Sequence, residues 1–166
     1  MNKPEDAKFR VDLHKEQLVF SSAHFITFNG NVCETLHGHN YGLKCEVHGK
    51  LDENGYVVDF IALRDALAEI SKGLDHRTLL PTEHGAILVS VTDNEIEARF
   101  ETKRWVFPKE DCVLLPIANT TAELIAWWIA TELNSKTKSR LGPGIEKVIV
   151  SVDENNGQWG IAELDW

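Results

Sequence analysis

Residues 40–51 read NYGLKCEVHGKL and are followed at residues 52–55 by DENG. The apolar side chains of the first stretch take every second position, at Tyr41, Leu43, Cys45 and Val47. Strict alternation is typical of a β-strand that buries one face. The Asn-Gly pair in the second stretch favours a tight hairpin turn. This region therefore predicts a strand, a turn and the start of a return strand at residues 56–58.

Further extended segments are expected on both sides of this hairpin. Apolar residues alternate again over residues 9–24, which predicts a first strand region made of two pieces. The stretch ILVSVTDNEIEARFE at residues 87–101 predicts a β-hairpin with its turn at Thr92-Asp93-Asn94. Shorter strands are expected around residues 105–107, 113–117, 147–152 and 160–164.

Two helices are expected between these strands. Residues 60–74 carry apolar side chains at steps of three and four, and Asp59 can cap the first turn of that helix. Thr120-Thr121-Ala122-Glu123 has the form of a capping box, with Thr120 as the cap and Glu123 reaching back. The mixture of hairpin-connected strands and helices predicts an α+β fold with an antiparallel sheet.

The composition limits the function classes. The chain has 166 residues, with 17 Lys+Arg and 26 Asp+Glu, and a net charge of −9. One domain spanning residues 1–166 is expected at this length. The acidic balance argues against nucleic acid or an anionic membrane as the main partner. The polar N-terminus, the absence of a long apolar run and three cysteines outside any disulfide framework predict a cytoplasmic protein.

Three histidines stand at positions from which they could share one metal ion. His37 and His39 are two residues apart, so in a strand their imidazoles project from the same face. His24 ends the preceding strand, and a hairpin-like return would bring it beside them. Three neutral imidazoles suit zinc, whose catalytic sites keep a fourth position open. A chance grouping of surface histidines is the competing interpretation. Ordinary surface or partly buried roles are expected for His14, His48 and His84.

Four other residues are candidates for acid–base or binding roles. Cys33, four residues before His37, could be a thiolate base or nucleophile, a fourth zinc ligand or a small buried side chain. Asp75 could orient the His76 imidazole and raise its basicity, although a solvated pair has the same spacing. Glu154 follows a predicted strand and could anchor a ligand, or be one more acid of an acidic chain.

Six short motifs occur in the order that they have in one known family. They are Ser22-Ala23-His24-Phe25, Cys33-x-x-x-His37-Gly38-His39-Asn40-Tyr41, Gly55-x-Val57-Val58-Asp59-Phe60, Leu74-Asp75-His76, Asn119-Thr120-Thr121-Ala122-Glu123 and Val152-Asp153-Glu154. Over residues 9–164 the chain thus resembles the 6-pyruvoyl-tetrahydropterin synthase and 6-carboxytetrahydropterin synthase family.

The resemblance implies a fold and an assembly. The fold would be the T-fold (tunnelling fold), a four-stranded antiparallel sheet with two helices on one face. Three subunits would join their sheets into a barrel as a homotrimer, and two trimers would stack into a homohexamer with active sites at subunit interfaces.

The resemblance also implies roles for individual residues. It assigns the catalytic zinc to His24, His37 and His39. It assigns proton transfer to Cys33 as the thiolate base, with Asp75 and His76 as its partners. It assigns the anchoring of the pterin ring to Glu154, with Thr121 lining that pocket.

The substrate implied is the small molecule 7,8-dihydroneopterin triphosphate, for whose triphosphate Mg²⁺ is a second candidate ion. The short Cys33-x-x-x-His37 spacing resembles the branch that forms 6-carboxy-5,6,7,8-tetrahydropterin on the route to queuosine and other deazapurines. The alternatives are the 6-pyruvoyl-tetrahydropterin synthase reaction, which eliminates triphosphate, and a pterin-binding homologue without catalysis.

Three features depart from the family pattern, and one of them is Asn119-Thr120 in place of the Asn-Pro that is common in the bacterial branch. Residues 81–118 form a long segment where typical members have a short connection, and this segment could cover the active site, modify the triphosphate pocket or alter assembly. Glu34 stands beside Cys33, and some relatives with an aldolase-type role use glutamate as the base. These departures bear on the substrate and product more than on zinc or pterin binding.

Overall fold

A computed structural model describes residues 6–30 and 32–166 of the chain. The strands within these ranges are β1 Phe9–His24, β2 Thr27–Phe28, β3 Val32–Cys33, β4 His37–Gly49, β5 Arg77–Pro81, β6 Leu88–Val91, β7 Glu95–Phe100, β8 Lys103–Pro108, β9 Cys112–Leu115, β10 Ile145–Asp153 and β11 Trp159–Asp165. The two α-helices are α1 Phe60–Leu74 and α2 Ala122–Leu141.

The main sheet has six strands in the order β11-β10-β4-β1-β5-β9. Its first four strands pair antiparallel with their neighbours, as the sequence predicts. The strands β5 and β9 extend the sheet beyond β1. Strand β5 pairs parallel with β1, and β9 pairs parallel with β5. The predicted division of residues 9–24 into two pieces is wrong, because β1 changes register against β4 between His14 and Val19 but continues as one strand.

One face of the sheet packs against both helices. The alternation predicted for residues 40–51 is confirmed, because Tyr41, Leu43, Cys45 and Val47 of β4 are completely buried in the core that the helices share. Burial of apolar surface on this scale is the main stabilising contribution to a domain of this size. The positions between them face the other side of the sheet.

The first helix begins as predicted. The Asp59 carboxylate accepts hydrogen bonds from the backbone N–H groups of Ile61 and Ala62 at 2.7 and 3.1 Å. Its apolar stripe is buried through residues that include Leu63, Leu67 and Leu74. Among the described residues, no helix has both the length and the apolar character to cross a bilayer.

The capping box predicted for the second helix is wrong. The N-cap of α2 is Thr121, and its side chain forms no capping hydrogen bond. The hydroxyl of Thr120 is fully buried and donates instead to the carbonyl oxygen of Phe25, at 3.1 Å. A hydroxyl with a buried carbonyl partner is not free to cap a helix, so Thr120 joins the start of α2 to the end of β1.

The predicted return strand at residues 56–58 is also wrong. The Asp52 carboxylate accepts hydrogen bonds from the backbone N–H groups of Asn54 and Tyr56, which closes a compact turn. Val57 and Val58 then enter the main core directly before α1. The turn residues are as expected, but the chain continues into a helix instead of pairing with β4.

The segment of residues 81–118, called the insertion below, folds into two parts. Strands β6, β7 and β8 form a separate antiparallel sheet that includes the predicted hairpin. Strand β9 returns to the main sheet beside β5. Between the two sheets lies a second hydrophobic cluster, made of Phe25, Cys33, Leu80, Ile87, Ile96, Ala98 and Phe100.

Candidate metal centre and active site

The three predicted histidines meet at one end of the main sheet. His24 is the last residue of β1 and lies opposite His37, the first residue of β4, while His39 lies opposite Ser22. Each histidine offers a ring nitrogen, and these three nitrogens lie within 4.8 Å of one another. The antiparallel pairing of two strand ends therefore builds the histidine cluster that the sequence predicts.

Hydrogen bonding fixes the tautomer of His24. Its Nδ1 lies 2.8 Å from the carbonyl oxygen of Thr120, which can only accept, so Nδ1 carries the proton. The lone pair is then on Nε2, which is buried and has no hydrogen-bond partner. Burial, with a smaller contribution from the nearby imidazoles of His37 and His39, lowers the pKa of His24 from 6.5 to about 4. The ring is neutral at pH 7 with a free lone pair.

His37 is oriented in the same way. Its Nδ1 donates to the carbonyl oxygen of Thr35 at 2.9 Å, which leaves Nε2 as the free acceptor. A ring N–H held by a carbonyl is the usual support of a metal-ligating histidine. The unpartnered, buried Nε2 of His24 beside the imidazoles of His37 and His39 fits a divalent transition-metal ion with nitrogen ligands, a class that includes zinc.

Glu154 reaches the same place from β10. Its Oε1 lies 3.4 Å from Nε2 of His24, and its side chain is partly buried. Burial raises the pKa of the Glu154 carboxyl, and the neighbouring acids Glu34 and Glu123 act in the same direction. Asp153 supports this position by accepting hydrogen bonds from the backbone N–H groups of the turn at residues 157–158. Glu154 is therefore a carboxylate at the edge of the histidine cluster.

Thr121 lies at the N-terminus of α2, between Thr120, whose carbonyl orients His24, and the first-turn acid Glu123. Because the charge of Glu123 acts on Glu154, the start of this helix borders the position of Glu154. That Thr121 lines the pterin pocket stays a prediction.

Cys33 lies in a different environment from the one expected for a reactive thiolate. It is 6% exposed and packs within the second hydrophobic cluster. Burial raises the pKa of its thiol above the ordinary value, although the positive charge of Lys103 opposes this change. The thiol is therefore protonated near neutral pH.

Glu34 takes the position beside the histidines. Its Oε2 lies 3.9 Å from Nε2 of His37. Strand β3 ends at Cys33, and the two side chains lie in different places: the thiol packs in the second hydrophobic cluster, whereas the Glu34 carboxylate lies beside the histidines. The adjacent pair Cys33-Glu34 was the signal available in the sequence, but the pair alone does not tell which of the two side chains faces the histidines.

Asp75 and His76 form the predicted pair directly after α1. His76 Nδ1 lies 2.8 Å from Asp75 Oδ2, and Oδ1 accepts the backbone N–H of Ser21 at 2.8 Å. The hydrogen bond from Ser21 is the largest cause that lowers the pKa of Asp75. His76 adopts a left-handed backbone conformation with φ of 56°, and its side chain is 83% exposed.

The Asp75–His76 pair borders the histidine cluster without entering it. His76 lines a groove of about 580 Å³. The other residues of the groove include Ser21, Ala23, Gly38, His39, Asn40 and Arg77. Most of the groove residues on β1 and β4 alternate with the three clustered histidines, so the groove lies mainly on the opposite face of the sheet.

The sequence of this chain is similar to those of known pterin enzymes. The family model described as 6-pyruvoyl tetrahydropterin synthase matches residues 13–164. A Methanocaldococcus jannaschii protein provisionally named 6-carboxy-5,6,7,8-tetrahydropterin synthase is 34% identical over 142 residues, which cover 85% of this chain and 86% of that protein. Dihydroneopterin monophosphate aldolase from Pyrococcus furiosus is 38% identical over 60 residues, 36% of this chain and 50% of that protein.

A solved structure matches almost the whole fold. It is a variant of 6-pyruvoyltetrahydropterin synthase from Plasmodium vivax in which a catalytic glutamate is replaced by alanine. It has a TM-score of 0.87 and 28% sequence identity, and the match covers 97% of this chain and 100% of that one. The T-fold predicted from the motifs is thus confirmed, and the chain belongs to the 6-pyruvoyl tetrahydropterin synthase family of pterin lyases.

Proposed function

We propose that this protein is a zinc-dependent lyase that converts 7,8-dihydroneopterin triphosphate to 6-carboxy-5,6,7,8-tetrahydropterin. The observation that carries the proposal is the convergence of three ring nitrogens within 4.8 Å of one another, beside the Glu154 carboxylate. The similarity to the Methanocaldococcus jannaschii protein supports this product. The reaction consumes one water and releases triphosphate and acetaldehyde.

Glu154 and Thr121 are proposed to hold the pterin. A carboxylate can accept two parallel hydrogen bonds from the amino-pyrimidine edge of the ring, and such paired bonds fix orientation as well as adding affinity. Because Glu154 lies 3.4 Å from the His24 ring, a pterin held by it would place its side chain beside the cluster. A zinc ion on His24, His37 and His39 would supply Lewis acidity toward the side-chain hydroxyls.

We assign proton abstraction to Glu34 in place of Cys33. The carboxylate lies 3.9 Å from the ring of His37, whereas the thiol is buried in the second hydrophobic cluster with a raised pKa. A general base must reach the proton it removes and must be deprotonated at the working pH. The Glu34 carboxylate already lies at the histidine cluster, whereas the Cys33 thiol would have to leave its apolar surroundings to reach a substrate there.

Assembly would complete the site. We propose a homotrimer, or a homohexamer of two trimers, in the cytoplasm. His76 is 83% exposed and borders the cluster of its own chain from the other face of the sheet, so it is free to meet a neighbouring copy. In this arrangement Asp75 would hold the His76 tautomer while His76 transfers protons. Mg²⁺ would accompany the triphosphate of the substrate.

The position of Glu34 favours a second candidate reaction, a retro-aldol cleavage of the same side chain. A base would remove the proton of the C2′ hydroxyl, the C1′–C2′ bond would break, and its electron pair would enter the C6=N5 imine of the ring tautomer. C2′ would leave as an aldehyde, and C1′ would gain a proton to become a hydroxymethyl group. The stretch shared with the Pyrococcus furiosus aldolase supports this candidate.

Product identification by mass spectrometry tests both candidates. The zinc-loaded protein would be incubated with 7,8-dihydroneopterin triphosphate. We expect a carboxy-tetrahydropterin with acetaldehyde, whereas a hydroxymethyl-dihydropterin would establish the retro-aldol reaction, and a pyruvoyl product would establish triphosphate elimination. Binding without any turnover would identify a pterin-binding homologue and would overturn the proposed catalysis.

A further inference from the structure

The insertion is tied to the loop that carries Cys33 and Glu34. Lys103, the first residue of β8, directs its ammonium to the backbone carbonyl oxygens of both residues. The distances are 2.5 Å to the Cys33 oxygen and 3.4 Å to the Glu34 oxygen. Since Lys103 lies about 70 positions further along the sequence, these are contacts between the insertion and the active-site loop.

Two more contacts hold the same loop from the same side. The rings of Phe25 and Trp105 stack with their centroids 4.3 Å apart and their planes 16° apart. Nε2 of His84 lies 2.7 Å from the hydroxyl of Thr27. The other ring nitrogen of His84 accepts the backbone N–H groups of residues 86 and 87, so the His84 ring is fixed within the insertion.

These contacts determine which side chain faces the histidines. The second hydrophobic cluster takes the side chain of Cys33, and six of its seven members come from outside β3. While the Cys33 side chain is held in that cluster, the carboxylate of the next residue, Glu34, lies 3.9 Å from the ring of His37. Lys103 holds the backbone at these two residues through its hydrogen bonds to their carbonyl oxygens.

We propose that Lys103 is a positioning residue, and that through it the insertion presents Glu34, and not Cys33, to the histidine cluster. Lys103 itself stands on the insertion sheet and acts through the two carbonyl groups, so it is not a catalytic residue. This inference rests on the proposed function for its catalytic consequence, but the loop geometry can be measured independently of turnover.

The test compares Lys103→Met, Lys103→Arg and Arg104→Met. Methionine keeps the length and the apolar stem of lysine but removes the donors, whereas arginine keeps a cationic donor. Arg104 is the next residue of the same strand, and its guanidinium pairs with Glu97 at 2.5 Å. It is therefore the matched control for loss of a positive charge on β8.

The first measurement is hydrogen–deuterium exchange of the zinc-loaded proteins over residues 25–36. The N–H of Glu34 donates to the carbonyl oxygen of Ile26 at 3.0 Å and reports on the loop. We expect exchange at Glu34 to be at least about tenfold faster in Lys103→Met, and close to wild type in Lys103→Arg and Arg104→Met. Zinc content should be equal in all four proteins.

The second measurement is steady-state turnover. We expect Lys103→Met to lower kcat by about tenfold or more with little change of KM, since a misplaced base affects the chemical step and not pterin binding. Lys103→Arg should recover most of kcat. If wild type shows no turnover, the proposed function fails, and the exchange data alone decide the role of Lys103.

Three outcomes would overturn the positioning role. The first is wild-type exchange and kcat in Lys103→Met. The second is an equal effect of Arg104→Met, which would indicate a general charge effect. The third is faster exchange over the whole chain in Lys103→Met, because that would indicate lost stability. For this last case Lys103→Leu, which also removes the donors, provides a second variant, which must affect residues 25–36 selectively for the proposal to stand.

Discussion

His24 is joined to Thr120 by a 2.8 Å hydrogen bond from its Nδ1 to the backbone carbonyl oxygen. This contact connects the end of β1 to the residue directly before the N-cap of α2. It fixes the tautomer that leaves Nε2 free beside the other two histidines, and the Thr120 hydroxyl strengthens the junction through the Phe25 carbonyl. The orientation of a metal ligand is therefore set by the packing of a helix start against a strand end.

Replacing His37 should remove zinc. His37→Ala deletes one of three nitrogens that lie within 4.8 Å of one another, and two imidazoles bind zinc far more weakly than three. We expect near-stoichiometric zinc in wild type and a loss of most of it in the variant after dialysis, measured by elemental analysis. His14→Ala, outside the cluster, is the matched control. Equal zinc in His37→Ala and wild type would reject the metal centre.

Glu34 and Cys33 should differ sharply in their effect on turnover. Glu34→Gln removes the proposed base while keeping its shape, so we expect kcat to fall by about 10² or more. Cys33→Ser should retain most of kcat and should mainly lower stability, because it places a hydroxyl in an apolar cluster. Kinetics and urea denaturation of both variants provide the measurement. The reverse pattern would return the role of base to Cys33.

Glu154→Gln should weaken pterin binding without releasing zinc. The amide can accept from the ring edge through one oxygen only and has no charge, so we expect the dissociation constant of an unreactive pterin to rise by about 10-fold or more. Fluorescence titration measures this change, with zinc content as the check on the cluster. Glu163→Gln on the neighbouring β11 is the control. Unchanged affinity in Glu154→Gln would remove its assignment as the anchor.

The parts of the molecule that follow from short-range patterns could be predicted from the sequence. The buried face of β4 follows from alternation, and the start of α1 follows from one aspartate before a helical stripe. The histidine cluster could also be predicted from such a pattern. His37 and His39 continue the alternation of Tyr41 and Leu43 along β4, so all four side chains lie on the same face of the strand.

The parts that depend on distant contacts could not be predicted. Thr120 has the sequence of a capping residue, but a carbonyl from the end of β1 takes its hydroxyl. The orientation of Cys33 depends on apolar residues of the insertion, which are more than 45 positions away in the sequence. In each case local chemistry allowed two arrangements, and a tertiary contact determined which one formed.

The stability of the metal-free protein should depend on pH through His24. Its pKa is about 4 in the folded chain and 6.5 when unfolded, so the fold favours the neutral ring. This contribution is complete above pH 6.5 and is lost as the pH falls toward 4, by up to about 3 kcal/mol. Burial lowers the pKa of His84 too, which adds a loss in the same direction.

Urea denaturation of metal-free protein at pH 7.5 and pH 4.5 measures this dependence. We expect a lower free energy of unfolding at pH 4.5 in wild type and a clearly smaller difference in His24→Gln, whose side-chain amide keeps an N–H donor but cannot titrate. His14→Gln should keep the wild-type difference in unfolding free energy between the two pH values, because His14 is exposed on β1 and lies outside the cluster. If His24→Gln and wild type lose equal stability between the two pH values, the buried neutral state of His24 is not the source of the acid sensitivity.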